Sequence, residues 1–228
     1  MPKPIALVTG ASRGIGRATA LRLSNDFDIV AAARSANDLE TLRREIENGG
    51  GRCTAMAVDL ARPDDVERAL RGVSADVLIN NAGVMSQKPF LDLTPDEWQS
   101  MVDVNFNALY HVTRAVLPGM VERRRGHVVI IGSIAGRSAF VGGTCYAATK
   151  HAVAGFAECL MLEVRDFGVK VSTVNPGSVA TELTPGGSAR TWPLQPEEVA
   201  DAVAFVVSQP GNVLVHAVEI RTNTVPKK

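Results

Sequence analysis

The chain is poor in cysteine, and the three it has are badly placed to act together. Cys53, Cys145 and Cys159 form no C-x-x-C pair and have no histidine at ligand spacing, which excludes a disulfide framework and a thiolate zinc site. An odd set of unpaired thiols points to a reducing compartment, so the expected location is the cytoplasm. Cys145 adjoins Tyr146, but a buried packing thiol is the commoner case and is the reading adopted over a nucleophile. Histidine is scarce as well. Neither His111 nor His151 has a second ligand one helical turn away, so no metal is expected. Net charge is missing too: Lys plus Arg and Asp plus Glu number 24 each, and no overall field draws the chain to nucleic acid or an anionic membrane. The one basic run, Arg123 to Arg125, is read as the cap of a helix C-terminus. Long apolar runs are lacking. Met1-Pro-Lys-Pro leads directly into a strand-like segment, with no signal-peptide core and no stretch of the roughly 18 apolar residues that a membrane span requires.

What is present is an alternation of short β-branched runs with longer helical patterns, the signature of βαβ units and a parallel sheet covered on both faces. Five runs are clear: Ile5 to Thr9, Ile29 to Ala33, Cys53 to Val58, Val77 to Asn80 and His127 to Ile131. Val169 to Asn175 and Val213 to Arg221, each behind a turn signal such as Phe167-Gly168 or Pro210-Gly211, bring the predicted sheet to seven strands. No repeat or linker divides the 228 residues, so one three-layer α/β domain over 1–228 is expected. Right-handed crossovers then give a doubly wound sheet of order 3-2-1-4-5-6-7, with a ligand crevice at the reversal point. Two long helices are predicted, Thr94 to Val121 and Tyr146 to Phe167. The second carries small residues on several faces, which fits burial inside the monomer or, the favoured reading, against another subunit.

The first run ends in Thr9-Gly10-Ala11-Ser12-Arg13-Gly14-Ile15-Gly16, and a helical pattern begins at once. Gly10 permits the tight turn, Gly14 lets backbone approach a pyrophosphate, and Gly16 allows close packing of the helix, whose N-terminal N–H groups face the anion. Glycines alone also make a plain tight loop; the place between first strand and first helix favours a dinucleotide site of the Rossmann type. At the end of the second strand an NAD site normally carries an acid for the ribose hydroxyls. Here the strand closes on Arg34, and Arg13 lies in the glycine loop, so two guanidinium groups stand where a 2′-phosphate would be bound, which favours NADP(H) over the alternative of two ordinary surface arginines.

Tyr146 and Lys150 are four apart and share a helix face. A phenol is a poor acid–base group at neutral pH. Bringing it from about 10 to about 7 takes about 4 kcal/mol, which a neighbouring ammonium and a cationic nicotinamide can supply together. A Y-x-x-x-K spacing alone is often a solvated pair; the surrounding set strengthens it. Ser133 follows the fifth run at the carboxyl end of its strand, where its hydroxyl can reach a substrate oxygen. Asn105 sits in an apolar helical stretch, where its amide needs a specific partner; a helix kink or a buried structural bond accounts for it equally.

Taken together, Thr9 to Gly16, Asn80-Asn81-Ala82-Gly83, Asn105, Ser133, Tyr146-x-x-x-Lys150 and Pro176-Gly177 resemble the short-chain dehydrogenase/reductase family, from Ile5 to about Thr181. The resemblance implies that Tyr146 is the acid/base, that Lys150 lowers its pKa and holds the nicotinamide ribose, that Ser133 orients the substrate oxygen, and that Asn105 keeps a relay water. It implies also that Gly10, Ser12, Arg13, Gly14, Ile15, Gly16 and Arg34 belong to the cofactor site, that Asp59 and Leu60 hold the adenine, that Asn81, Ala82 and Gly83 line the adenosine side, and that Pro176, Gly177 and Thr181 flank the nicotinamide. Homotetramers or dimers joined through the two long helices are implied as well. The sequence departs from the family in a short substrate cover near 181–195, where Thr184 to Ser188 reads as a flexible loop. It departs also in a carboxyl end without the glycine-rich close of many relatives, a feature that resembles NADP-linked reductases of hydroxy acids and small carbonyl compounds.

The expected function is NADPH-dependent reduction of a ketone, aldehyde or ketoacid, or the reverse oxidation. Substrate choice should fall to Met85–Phe90, Ile134–Gly143 and Ser178–Trp192, where Arg137 and Arg190 are read as solvated or capping before carboxylate-binding. The alternatives are a protein that binds NADP without turnover and an NAD-linked alcohol dehydrogenase.

Overall fold

A computed structural model describes residues 2–183 and 192–223. Seven parallel strands, β1 (Ile5–Thr9), β2 (Asp28–Ala33), β3 (Cys53–Ala57), β4 (Val77–Asn80), β5 (Gly126–Ile131), β6 (Val169–Pro176) and β7 (Ala217–Ile220), pair in the order β3-β2-β1-β4-β5-β6-β7. That is the predicted doubly wound order. Its central strands are apolar because they are covered twice: every residue of β4 and of β5 is buried. One face is closed by α1 (Gly14–Leu23), α2 (Ala36–Asn48) and α7 (Pro196–Val207), which bring Leu23, Leu42 and Val203 to a core shared with Val8 and Ile79. The other is closed by α3 (Pro63–Leu70), α5 (Ala108–Glu122) and α6 (Thr144–Val164), with Val66, Val116 and Leu160 against Leu7 and Val128. No helix among the described residues is long and apolar enough to cross a membrane.

Strands β2, β3, β5 and β6 differ from the sequence reading by one residue at one end, and three boundaries differ by more. The helix expected over Thr94–Val121 is two, α4 (Pro95–Val102) and α5, joined by a π-helical turn at Asp103–Asn107. Thr94 is the N-cap of α4, in a capping box with Glu97. The helix expected from Tyr146 starts two residues earlier, and its last turn, Arg165–Phe167, is a 3₁₀ turn closed by Gly168 in the left-handed conformation. The seventh strand begins at Ala217 and not at Val213, because Val213 is still in the turn, its N–H bonded to Pro210 and its carbonyl to Lys170. The basic run also works differently from a dipole cap. Arg123 is the C-cap of α5, but the three guanidinium groups bond the Ala75 carbonyl, the Asp166 carbonyl and the Asp76 carboxylate, stitching α5 to neighbouring loops.

Candidate active site

At the carboxyl ends of the strands lies a cavity of about 890 Å³, large enough for a dinucleotide's reactive half and a small partner. The β1–α1 turn forms its floor. Gly10 and Gly14 have φ of +64° and +53°, and a Cβ on Gly16 would stand 2.3 Å from the Gly10 carbonyl oxygen and 2.4 Å from Asn81 Nδ2. The close approach is thus between α1 and its own turn. Thr9 Oγ1 accepts the N–H groups of Asn81 and Ala82, and Asn81 Nδ2 donates to the Thr9 and Gly10 carbonyls, so β4's end locks the turn. The N-cap of α1, Arg13, makes no side-chain cap, which leaves the helix's first N–H groups turned to the cavity for an anion.

Of the residues proposed from sequence, Gly10, Ser12, Arg13, Gly14, Ile15, Arg34, Asp59, Leu60, Asn81, Ala82 and Gly83 line the cavity, and so do Ser133, Tyr146, Lys150, Pro176, Gly177 and Thr181. Gly16 acts beneath the turn. Arg34 is exposed on the cavity wall, whereas Arg13 is paired with the Glu182 carboxylate. The sequence reading missed Asp38, an acid one turn into α2 that lines the same end, and Ser35, the N-cap of α2. Asp59 accepts the Ala61 N–H through Oδ1. Arg137 is exposed at the end of the 3₁₀ turn Ile134–Gly136 and is not a lining residue; Arg190 and Thr184–Ser188 lie outside the described residues.

Tyr146 and Lys150 are brought together by the first two turns of α6 and are 8 % and 6 % exposed. Lys150 Nζ donates to the Ile131 carbonyl at 2.9 Å and stands 5.8 Å from the centre of the Tyr146 ring. Burial brings the ammonium down to about 8. The phenol moves the other way: burial raises it, and the Ser133 hydroxyl, hydrogen-bonded to it, pulls it back only in part. In the chain by itself desolvation of the phenolate is the larger influence on Tyr146, and the lowering expected from Lys150 was expected together with a cationic nicotinamide. At neutral pH the pair is loaded with protons. Phe140 packs edge-on to the Tyr146 ring at 6.4 Å and fixes its plane.

Asn105 is not on the main cavity. It sits in the π turn, accepts the Val84 N–H at 2.8 Å and donates to the Val84 carbonyl at 3.0 Å and to Thr149 Oγ1 at 3.2 Å. Thr149, which the sequence reading passed over, in turn donates to the Tyr146 carbonyl. Both alternatives weighed for Asn105 thus hold: it occupies a helix irregularity and makes buried structural bonds. Asn105 and Lys150 also line a second cavity of about 10 Å³, about the space of one water molecule. Cys145 is buried with Met101 and Ala135, points its thiol at the Trp98 carbonyl and is pushed up by burial, the state of a packing thiol. His151 bonds the Ala147 carbonyl, and His111 stacks edge-on to Tyr110.

Comparison with known proteins agrees with this arrangement. The short chain dehydrogenase family model matches residues 4–191. A 3-oxoacyl-(acyl-carrier-protein) reductase of Vibrio cholerae is 33 % identical over 222 residues, 90 % of this chain and 89 % of that protein. An NADP-dependent 3-hydroxy acid dehydrogenase of Salmonella typhi is 34 % identical over 235 residues, 95 % and 94 % of the two chains. Among solved structures, a metagenomic short-chain oxidoreductase in complex with NADP superposes with a TM-score of 0.87 at 33 % identity, over 98 % of this chain and 99 % of that one. The closed form of a serine dehydrogenase complexed with NADP+ gives 0.90 at 32 % identity, over 98 % and 96 %. With the turn, the Tyr146–Lys150 helix and the strand order in place, the chain belongs to the short-chain dehydrogenase family of oxidoreductases.

Proposed function

We propose that this chain is an NADP(H)-dependent oxidoreductase that interconverts a ketone, aldehyde or ketoacid and the corresponding alcohol, with Tyr146 as the proton donor and acceptor. The observation that carries the reading is the placing of Tyr146, Lys150 and Ser133 on the wall of the same cavity whose floor is the glycine turn and the uncapped N-terminus of α1. That cradle suits a dinucleotide: it offers bare backbone N–H groups to phosphates, and Gly14 stands so close to Thr181 that a Cβ there would lie 3.2 Å from Thr181 Cγ2. The bound cofactor supplies or takes up the hydride. Arg34 and Arg13 would hold the 2′-phosphate, Asp59 and Leu60 the adenine, and Pro176 and Gly177 the nicotinamide end.

In reduction, the Tyr146 hydroxyl gives its proton to the substrate oxygen, and Ser133 donates a hydrogen bond to the same oxygen and fixes its direction. A phenol raised by burial keeps its proton until that oxygen becomes basic. The phenolate left behind is then stabilised by the Lys150 ammonium, a residue that also lines the water-sized cavity beside Asn105. In the opposite direction the same groups take the proton from an alcohol.

The NADP-bound relatives support the choice of cofactor, and the three free cysteines support a cytoplasmic setting. The partly exposed Tyr110 on α5 and Leu162 on α6 support a homo-oligomer, a dimer or tetramer, through those helices. A single domain over 1–228 completes the reading; the short substrate cover expected near 181–195 lies for the most part outside the described residues. The test is oxidation of NADPH, and separately of NADH, by the purified protein with benzaldehyde, cyclohexanone, pyruvate and ethyl acetoacetate. Turnover with at least one carbonyl compound and a preference for NADPH are expected; tight NADPH binding with no turnover of any of them would replace this reading by a binding protein.

A further inference from the structure

Val84, Met85 and Gln87 form part of the cavity wall, and the structure grips residues 84–88 at every second residue. Val84 is held through its backbone N–H and carbonyl by Asn105. Ser86 is held through its N–H by Met101 Sδ at 3.4 Å and through its hydroxyl by Glu97 Oε1 at 3.0 Å. Lys88 is held through its ammonium by the same oxygen at 2.6 Å. The residues between, Met85 and Gln87, line the cavity. The three gripping side chains are four apart, along α4 and into the π turn. Four helical residues advance about 6 Å, close to the about 6.6 Å that two residues of extended chain cover, so a helix face can serve an extended segment as a ladder. The segment is also tied to the opposite wall, by Lys88 N–H to the Gly142 carbonyl at 3.1 Å and by Gln87 Nε2 to the Val141 carbonyl at 3.3 Å.

The outermost rung is the only charged one. Oε2 of Glu97 is committed to the capping box with Thr94, and Oε1 is left to latch Ser86 and Lys88. We propose that Glu97 is a positioning residue for the substrate: through Ser86 and Lys88 it holds Met85 and Gln87 in the wall against which the carbonyl compound lies, without touching it. The proposal rests on the oxidoreductase reading above. It separates two duties of one carboxylate, since the cap serves helix stability and the latch serves the substrate.

Glu97→Gln keeps an oxygen for the cap and loses the ion pair with Lys88. With the best-reduced member of the carbonyl panel it should raise KM about threefold to fivefold, the size expected for one partly exposed ion pair, with kcat within about twofold and the NADPH Kd unchanged. Lys88→Met should raise KM equally, and the double variant should add nothing further. Amide hydrogen exchange of residues 84–90 should quicken in Glu97→Gln while that of residues 9–16 stays the same. Thr94→Ala, which removes a cap partner and leaves the latch, should lower Tm without moving KM. An unchanged KM, unchanged exchange at 84–90, or an equal KM rise in Thr94→Ala would overturn the proposal. If the wild-type protein reduces none of the panel, the oxidoreductase reading fails first, and the exchange result alone then decides whether the latch exists.

Discussion

Lys150 keeps an ammonium against the Ile131 carbonyl and the Tyr146 ring, and burial brings it down to about 8. The unfolded chain holds its lysine protons up to about 10.4, so between about 8 and 10.4 the unfolded state binds more protons than the fold, and stability rises with pH across that window. Compared with Lys150→Met, the wild-type urea midpoint should therefore climb from pH 8 to pH 10, by the equivalent of up to about 3 kcal/mol; parallel pH profiles of the two proteins would contradict it. Arg34 works at the other end of the cavity. Its replacement by Ala should cut kcat/KM with NADPH about tenfold to hundredfold, the scale of a charge-assisted contact, and leave NADH nearly untouched. A similar loss with both cofactors would mean that Arg34 serves the fold. These residues were legible in the sequence because each is an unusual residue type at a strand end or on a short helix repeat. Asp38 and Thr149 were not: each is an ordinary helix residue until the chain folds and sets it beside Arg34 or Asn105.

The β1–α1 turn shows how an element fixes a residue's identity. A methyl group on Gly16 would overlap the Gly10 carbonyl and Asn81, and backbone cannot step aside as a flexible side chain could. Gly16→Ala should cost about 1 to 3 kcal/mol in denaturant unfolding and weaken NADPH binding, because the displaced turn is the one proposed to hold the phosphates. Full stability and unchanged binding would show that the turn has slack. Strands β1 and β4 could be read to the residue because an apolar run bounded by turn signals depends on local chemistry alone. The π turn at Asp103–Asn107 could not, since what stabilises it is the distant pairing of Asn105 with Val84. The late start of β7 has the same origin, a lysine on β6 that claims the Val213 carbonyl.

Across the whole molecule, the twice-covered sheet limits how acid the protein can be made. His127 on β5 is buried, bonded through Nε2 to Ser172 of β6, and its Nδ1 has no partner among the described residues. Burial first, and the nearby Lys170 charge second, hold its pKa near 3. An unfolded histidine protonates near 6.5, so below that pH the unfolded state takes up a proton that the fold refuses, and stability falls by up to about 1.4 kcal/mol per pH unit toward pH 3. His127→Gln, which can keep the bond to Ser172, should lose less stability between pH 7 and pH 5 than the wild type; equal losses would assign the acid limit to other groups. The sheet that imposes this limit also gathers the glycine turn, Ser133 and α6, with Tyr146 in its first turn, at its carboxyl edge. The most direct measurement is turnover of Tyr146→Phe with saturating NADPH and a carbonyl compound that the wild type reduces, alongside the NADPH Kd. A fall in kcat of about a hundredfold or more with Kd unchanged is the predicted result; wild-type turnover in that variant would contradict the assignment of the proton to this phenol.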